Sequence, residues 1–382
     1  MPRKILATLS AALSISALSF AADSATGPWR SVDARDLRII NRGFPGQCAG
    51  PYARIPEYLA DSVRPTLYER SLHSAGIAVR FATDSRRIGA SYGLLTDGSM
   101  IHMAGTGLKG IDLYILEADS VWRHMNCIRP YTEKDSLGQS TRRVEKTIVE
   151  NLDGDTHEYM LYLPLYDGVT DLSIRIDSAA TVSSGAPELI SPRGRIVAYG
   201  TSILQGGCAS RPGMASTNIL SRELNREVIN IGISGEGKMD ACMARAMASI
   251  PDVDLFIIDP VPNCTLAMCD SLTYDFVSII RRARPDAAIV MVEGPIYPYA
   301  RHDSYFRDYL PAKNEAFRRG FERLRAERPE GLYYVTSDGL DGPDDDGTVD
   351  GIHLTDLGFR HYADKLLPVL RQALADKLYT KP

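Results

Sequence analysis

The first half of the chain shows a repeated alternation of apolar and polar residues. Residues 172–177 read Leu-Ser-Ile-Arg-Ile-Asp, and the same period of two occurs at 77–82, 111–115 and 159–163. This alternation is typical of strands that turn one face to a core, and turn-forming clusters separate the segments. We therefore predict an antiparallel, jelly-roll-like β-sandwich over residues 22–189.

The second half has a different pattern, in which continuous apolar runs alternate with helix-like stretches. The runs are predicted strands and lie at 196–199, 228–231, 255–258, 288–292 and 332–335. The stretches are predicted helices and lie at 216–226, 240–249, 272–284, 311–327 and 355–375. This alternation predicts a parallel sheet with helices on both faces, a three-layer α/β domain over residues 190–382. A segment at 186–194 with two prolines and a glycine is predicted to be the linker.

The first 21 residues are predicted to be a signal peptide. Arg3 and Lys4 precede an apolar, small-residue run that ends in Ser-Phe-Ala at residues 19–21, which is typical of a cleavage site. A membrane anchor is the alternative, but a run of about 17 residues rich in Ser and Ala is a poor span. We expect export to the periplasm or the medium, with no integral membrane segment in the mature chain.

The composition is that of an ordinary globular protein, with 44% hydrophobic and 24% charged residues. The formal net charge is −5 and no Lys/Arg cluster stands out, which argues against a nucleic-acid partner. An exported protein permits disulfides, but the sequence leaves their pairing open. The six cysteines are Cys48, Cys127, Cys208, Cys242, Cys264 and Cys269. No histidine stands at ligand spacing beside any of them, so we expect no metal.

Two glycine-rich segments partly match nucleotide-binding motifs. Gly105–Gly110 has the spacing of the dinucleotide fingerprint, but a predicted strand follows where a helix is required, so we interpret it as a turn. Gly232–Met239 is close to a phosphate-binding loop, but Met239 replaces the Ser or Thr that would hold magnesium. Neither segment predicts a nucleotide site, and we expect no organic cofactor.

A serine follows the first predicted strand of the α/β half. The strand ends at Gly200, and Ser202 stands two residues further on. A glycine permits a sharp turn, which would expose the serine hydroxyl at the carboxyl edge of the sheet, where open α/β sheets bind ligands. A plain turn with a helix cap is the alternative. The case for a nucleophile therefore depends on partners elsewhere in the chain.

Asp350 and His353 lie three residues apart, just before the last predicted helix. At this spacing the carboxylate can hold one imidazole nitrogen while the other faces Ser202. A serine needs such a base because its hydroxyl is a weak nucleophile at neutral pH. A surface histidine beside a helix start is the alternative interpretation.

Two further strand ends supply candidates for an oxyanion hole. Gly235 follows the second predicted strand, and Asn263 follows the third. An enzyme that transfers acyl groups needs donors aimed at the developing oxyanion. The backbone amides of Ser202 and Gly235 and the carboxamide of Asn263 are three such donors.

These blocks, in this order, resemble the SGNH (GDSL-like) hydrolase family. The resemblance covers about residues 193–378 and rests on Gly-Thr-Ser-Ile around Ser202, Asn-x-Gly-x-Ser-Gly ending at Gly235, Asp-Pro-Val-Pro-Asn ending at Asn263, and Asp-x-x-His at Asp350 and His353. Thr201 departs from the Asp of the family name, and Asn263 lacks the usual Gly-x-Asn-Asp context. Both departures are similar to those of a bacterial branch with an N-terminal β-sandwich, often linked to polysaccharide breakdown.

The resemblance implies a flavodoxin-like fold and a cofactor-free serine esterase. Ser202 would be the nucleophile, His353 the base and Asp350 its partner. Expected export and the absence of a long apolar stretch after Ser202 favour a short acyl group, chiefly acetyl, on a carbohydrate. The alternatives are a lipase-, lysophospholipase- or thioesterase-type acylhydrolase, or a non-catalytic carbohydrate-binding protein. Polar and aromatic groups at strand ends suit a sugar, and the candidate substrate-binding residues among them are Gln205, Glu293 and Tyr297, with Tyr299 and His302 nearby in the chain.

Overall fold

The computed structural model describes residues 27–186, here called the N-terminal half, and 194–380, the C-terminal half. The predicted signal peptide, the predicted boundary at 189/190 and most of the predicted linker lie outside the described residues. Within the part of the chain that is described, no helix is both long and apolar enough to cross a membrane.

Most of the N-terminal half is built from short strands. They are β1 (Trp29–Asp33), β2 (Arg38–Ile40), β3 (Ala78–Thr83), β4 (Arg87–Leu94), β5 (Asp112–Leu116), β6 (Trp122–Cys127), β7 (Arg143–Glu150), β8 (His157–Tyr162), β9 (Val169–Asp177) and β10 (Val182–Ser183). One sheet has the order β1-β9-β4-β7, and the other β10-β3-β8-β5-β6, with β2 beside β3. Their pairings are antiparallel, as predicted.

A single apolar core lies between these two sheets. Ile174 and Ile176 of β9 are buried there together with Phe81 of β3 and Tyr159 of β8. The rings of Phe81 and Tyr159 stack with their centroids 5.4 Å apart. Alternate residues of each strand thus face the core, which is the origin of the period of two in the sequence.

Two short helices interrupt the strands of the N-terminal half: α1 (Pro65–Ser71) and α2 (Gly105–Lys109). The interpretation of the Gly105–Gly110 segment as a turn was wrong, because the Leu108 amide bonds to the Ala104 carbonyl at 2.9 Å and closes a helical turn. Gly107 packs so closely on the C-terminal half that a Cβ there would lie 2.0 Å from the Ala209 carbonyl oxygen. The glycine therefore serves the packing between the two halves.

The C-terminal half alternates strands with helices, as predicted. The strands are β11 (Arg195–Gly200), β12 (Val228–Gly232), β13 (Val253–Asp259), β14 (Ala288–Val292) and β15 (Leu332–Val335). The helices are α3 (Ser202–Gln205), α4 (Ser216–Leu224), α5 (Ala241–Ser249), α6 (Leu266–Ala283), α7 (Ser304–Glu327) and α8 (Asp356–Thr380). Helix α7 begins before the predicted Pro311 because Asp303 caps it, accepting bonds from the amides of Tyr305 and Phe306 at 2.9 and 3.0 Å.

The five strands form one parallel sheet in the order β12-β11-β13-β14-β15. This is the flavodoxin-like order, in which the chain direction across the sheet reverses beside the first strand. Apolar cores cover both faces of the sheet, so the predicted three-layer architecture is confirmed. The crevice at the carboxyl end of β11 is where such a sheet binds ligands.

Candidate active site

Ser202 is the first residue of α3, at the carboxyl end of β11. Thr201 caps this helix, and its Oγ1 accepts a hydrogen bond from the Ile203 amide at 3.3 Å. Gly206, with a φ of 114°, ends the helix after one turn. Tyr166 of the N-terminal half donates its O–H to the Ser202 carbonyl at 3.1 Å. The sequence predicts an exposed hydroxyl, but the serine is only 7% exposed, so little of its surface is open to solvent.

His353 and Asp350 lie in the loop before α8 and face this serine. His353 Nε2 is 3.0 Å from Ser202 Oγ, and His353 Nδ1 is 2.8 Å from Asp350 Oδ2. The other carboxylate oxygen of Asp350 accepts bonds from the amides of Ile352 and His353, at 3.0 and 2.8 Å. A continuous chain of hydrogen bonds thus joins carboxylate, imidazole and hydroxyl. This arrangement can activate a serine.

The surroundings of Asp350 favour its ionised form. Partial burial raises the pKa of Asp350, but the hydrogen bonds from the backbone and ring of His353 outweigh burial, so its pKa lies below the usual value. An ionised carboxylate accepts the hydrogen on Nδ1, which leaves the lone pair of His353 on Nε2. That lone pair faces Ser202, as a general base requires.

Gly235 and Asn263 follow β12 and β13, the two strands that flank β11. Gly235 has a φ of 71°, which favours glycine, and its amide bonds to no other described residue. Asn263, after β13, accepts a bond from the Gly237 amide on Oδ1 at 3.2 Å, which leaves its Nδ2 as a donor. The Ser202 amide, in the first turn of α3, needs no partner within the helix. The three predicted donors therefore lie at one edge of the sheet.

Two arginines of the N-terminal half hold the loop that carries Gly235. Arg54 is buried and donates to the Gly232 carbonyl, and Arg70, the next-to-last residue of α1, donates to the Ser234 carbonyl. These carbonyls lie immediately before Gly235 in the chain. Neither arginine is predicted from the sequence, because nothing near them in the chain marks a partner this distant.

The carboxamide of Gln205 has no free polar group for a substrate. It is fully buried, and its Nε2 donates to the Leu165 carbonyl at 2.9 Å and lies 3.1 Å from His73 Nδ1. Its Oε1 accepts the Ser234 amide at 2.9 Å. Burial, with two neighbouring arginines, lowers the pKa of His73 to about 3, so the neutral ring can accept the bond from Gln205. The structure thus corrects the predicted substrate contact of Gln205, because its carboxamide instead holds the loop that carries Ser234 and Gly235.

Glu293 is also enclosed by protein partners. Its carboxylate accepts bonds from Arg318 at 2.5 Å, from the Tyr334 hydroxyl at 2.9 Å and from the Ser337 amide at 2.8 Å. Burial raises the pKa of Glu293, but these bonds outweigh burial and the net shift is downward. The carboxylate ties the ends of β14 and β15 together and the residue is only 1% exposed, so the structure gives it a supporting role in place of the predicted substrate contact.

Tyr297 is 8% exposed and packs in an aromatic cluster, with its ring centroid 5.7 Å from that of Tyr299. Tyr299 is half-buried and lies beside the candidate triad. A Cβ on Gly351 would lie 3.0 Å from its ring, which places Tyr299 against the loop of Asp350 and His353. Tyr299, one of the candidates that the sequence predicts, is therefore an aromatic side chain beside the site.

A buried carboxylate of the N-terminal half holds the loop after α3. Asp112, the first residue of β5, accepts bonds from the Arg211 side chain and the Gly213 amide, both at 2.8 Å. Arg211 also donates to the Tyr114 hydroxyl at 2.6 Å. The only signal for this contact in the sequence is an acidic residue at the start of an otherwise apolar strand.

The fold brings two further metal-ligating side chains beside His353. One ligand atom each of His102, Cys208 and His353 lies within 4.8 Å of the others. The ring centroids of His102 and His353 are 5.6 Å apart. Local spacing predicted no such cluster, because its members come from three distant segments. The six cysteines, Cys264 and Cys269 included, are free thiols among the described residues.

Family models match both halves of the chain. Residues 193–371 match the GDSL-like lipase/acylhydrolase family, and residues 28–182 match the GxDLY family, the N-terminus of SGNH-hydrolase-type esterases. Residues 110–114 spell that second motif, Gly-Ile-Asp-Leu-Tyr, and include Asp112. A comparison with curated proteins found no significant match.

Solved structures share the fold over nearly the whole described chain. A protein from Bacteroides ovatus described as a GDSL-like lipase is 33% identical, with a TM-score of 0.83, over 91% of this chain and 98% of that one. The salicylyl-acyltransferase SsfX3 is 17% identical, with a TM-score of 0.70, over 91% and 97% of the two chains. A family two carbohydrate esterase from Cellvibrio japonicus is 14% identical, with a TM-score of 0.56, over 91% and 99%.

The fold and these matches define a carboxylic ester hydrolase. The chain belongs to the GDSL-like (SGNH) lipase/acylhydrolase family, which confirms the resemblance drawn from the sequence. The two structures with low identity support the shared fold alone.

Proposed function

We propose that this protein is an exported serine esterase that removes short acyl groups, chiefly acetyl, from carbohydrates. The observation that carries the proposal is the hydrogen-bond chain from Asp350 through His353 to Ser202, with distances of 2.8 and 3.0 Å. Hydrolysis by such a triad requires neither a metal nor an organic cofactor.

In the first half-reaction, Ser202 Oγ attacks the ester carbonyl carbon and its proton moves to His353 Nε2. The charge on Asp350 stabilises the imidazolium that forms. The negative oxygen of the tetrahedral intermediate accepts hydrogen bonds from the amides of Ser202 and Gly235 and from Asn263 Nδ2. His353 then gives its proton to the leaving alcohol oxygen, and the acyl group remains on Ser202.

In the second half-reaction, a water molecule attacks the acyl-enzyme. His353 takes a proton from the water, and the same three donors hold the oxyanion. The bond between the acyl carbon and Ser202 Oγ breaks, and His353 returns the proton to the serine. The products are the free carboxylic acid and the regenerated hydroxyl.

The surroundings of Ser202 support a small acyl group on a sugar. The serine is almost fully buried, and the chain on either side of it is tightly packed, since a Cβ on Gly200 or Gly206 would lie within 2.9 Å of neighbouring atoms. Tyr299, half-buried beside the loop of Asp350 and His353, offers a ring face and a hydroxyl, which suit a sugar ring. Carbohydrate esterases with the same fold, such as the one from Cellvibrio japonicus, add support from fold alone.

A specific observation favours a second candidate, an acylhydrolase for longer chains. Ile101 is 106% exposed and precedes His102, which lies beside His353; Val349 is 46% exposed and precedes Asp350 of the triad. Exposed apolar side chains at the rim of the site would bind an acyl chain.

A chain-length series separates the two candidates. We expect p-nitrophenyl acetate to be hydrolysed faster than octanoate or longer esters, and acetate to be released from acetylated xylan or pectin. The Ser202→Ala variant is the matched control for background hydrolysis. Preference for octanoate together with no acetate release from any glycan would refute the carbohydrate assignment and support the second candidate.

A further inference from the structure

Three side chains of the types that bind zinc converge at the mouth of the candidate site. His102 comes from the loop between β4 and α2, Cys208 from the loop after α3, and His353 from the loop before α8. Their ligand atoms lie within 4.8 Å of one another. Cysteine and histidine are both ligands that zinc prefers, and such a donor set is too soft for calcium or magnesium.

Hydrogen bonds connect the three segments that carry His102, Cys208 and His353. The Cys208 amide donates to the Leu354 carbonyl at 3.1 Å, which ties the cysteine to the neighbour of His353. Thr106 of α2 donates its hydroxyl to the Ser210 carbonyl at 2.5 Å, which ties the segment of His102 to that of Cys208. The Ser210 amide in turn donates to Asp356 Oδ1 at 2.8 Å. The cluster is therefore largely preformed.

The distances nearly suit a tetrahedral ion. Zinc bonds of about 2.0–2.3 Å place neighbouring ligand atoms roughly 3.3–3.8 Å apart. Ligand atoms that lie up to 4.8 Å apart need to close by about 1 Å to reach this spacing. His102 is the half-buried residue through which the site can adjust. The fourth position would be open to water.

We propose that His102, Cys208 and His353 form a zinc-binding site whose occupation inhibits the esterase. On binding, the Sγ–H bond of Cys208 breaks, its proton passes to solvent and a zinc–sulfur bond forms. Each ring nitrogen of His353 already has a part in the proposed function, Nε2 toward Ser202 and Nδ1 toward Asp350. Whichever nitrogen binds the ion, His353 can no longer take the serine proton. Inhibition therefore rests on the proposed function, whereas binding does not.

Zinc binding is tested first, in a protein that cannot turn over. Ser202→Ala keeps all three ligands, and calorimetric titration with zinc chloride should show one ion bound per chain. Adding Cys208→Ser or His102→Ala should weaken binding at least about tenfold, the scale seen when a metal site loses supporting groups. His302→Ala, at an exposed histidine outside the cluster, and Cys242→Ser are matched controls that should bind as the parent does. Equal affinity in parent and cluster variants would overturn the site.

Inhibition is tested next, with Ser202 restored. Zinc should inhibit hydrolysis of p-nitrophenyl acetate, and excess EDTA should restore the rate. Inhibition is normalised to the zinc-free rate of each variant, and His102→Ala should raise the half-inhibiting concentration at least about tenfold. Because Cys208 is buried, thermal melts check that Cys208→Ser folds. If it does not fold, the variant at the half-buried His102 still tests the zinc site.

The outcomes separate the two proposals. Binding at the cluster without inhibition would overturn the inhibitory role while leaving the metal site. Full activity in Ser202→Ala would instead refute the proposed function, and the calorimetric result would still decide the zinc site.

Discussion

The two halves of the molecule contribute different kinds of groups to the candidate site. The C-terminal half supplies the groups proposed for chemistry, all at the carboxyl edge of one parallel sheet. The N-terminal half supplies groups that hold those loops: Tyr166 on the Ser202 carbonyl, Arg54 and Arg70 on the loop of Gly235, and Asp112 on the loop after α3. We infer that the N-terminal half positions the loops of the site, in addition to packing against the C-terminal half.

The largest effect should come from the C-terminal half. Replacing Ser202 or His353 by Ala should lower kcat at least about 10³-fold, because the two residues act as one unit. The double variant should lose little more than either single variant. Rates with p-nitrophenyl acetate check this. Near-normal turnover in Ser202→Ala would contradict the triad.

Loss of one oxyanion donor should have a smaller effect. Asn263→Ala should lower kcat by about 10²–10³, with a lesser change in KM, because the carboxamide meets its partner only as the oxyanion forms. Steady-state kinetics separate the two constants. A change confined to KM would make Asn263 a substrate-binding residue instead.

The N-terminal half is tested through Arg70. Arg70→Ala frees the Ser234 carbonyl and lets the loop of Gly235 shift, which should lower kcat by about 10–100-fold with little change in KM. Arg70→Lys, which keeps a donor and the charge, should recover part of the rate. Arg86→Ala, at an exposed arginine of the same half, is the matched control. Equal rates in Arg70→Ala and Arg86→Ala would show that the N-terminal half packs against the C-terminal half without positioning the loop of Gly235.

The smallest expected effect on activity concerns a buried acid in the C-terminal half. Burial raises the pKa of Asp259 to about 8, although a bond from the Tyr362 hydroxyl at 2.8 Å opposes the shift. The unfolded chain ionises near pH 4 and the folded chain near pH 8, so stability falls as the pH rises between these values, by at most about 1.4 kcal/mol per pH unit. Asp259→Asn should remove this slope with little change in kcat.

Thermal melts from pH 5 to pH 8 check the slope. The midpoint of the parent should fall relative to that of Asp259→Asn as the pH rises. Parallel curves for the two proteins would show that Asp259 does not hold its proton in the folded state.

The same division explains which features the sequence could predict. The strands of the C-terminal half follow from continuous apolar runs, and the nucleophile and base candidates from short local patterns around Ser202 and His353. The groups that hold the loops have no local pattern, because Arg54 and Gly232, or Asp112 and Gly213, meet only after the two halves pack together. For the same reason the sequence predicts a substrate contact at Glu293, because its partners Arg318, Tyr334 and Ser337 come from other elements.

The central claim is that Ser202 carries the acyl group, and covalent labelling tests it most directly. A fluorophosphonate reacts with an activated serine and leaves a stable adduct with loss of fluoride, which peptide mass spectrometry can locate. We predict one adduct per chain, on Ser202, that forms in step with loss of esterase activity and is absent from His353→Ala. Loss of activity with the adduct on another residue, or full labelling of Ser202 in the His353→Ala variant, would contradict the account.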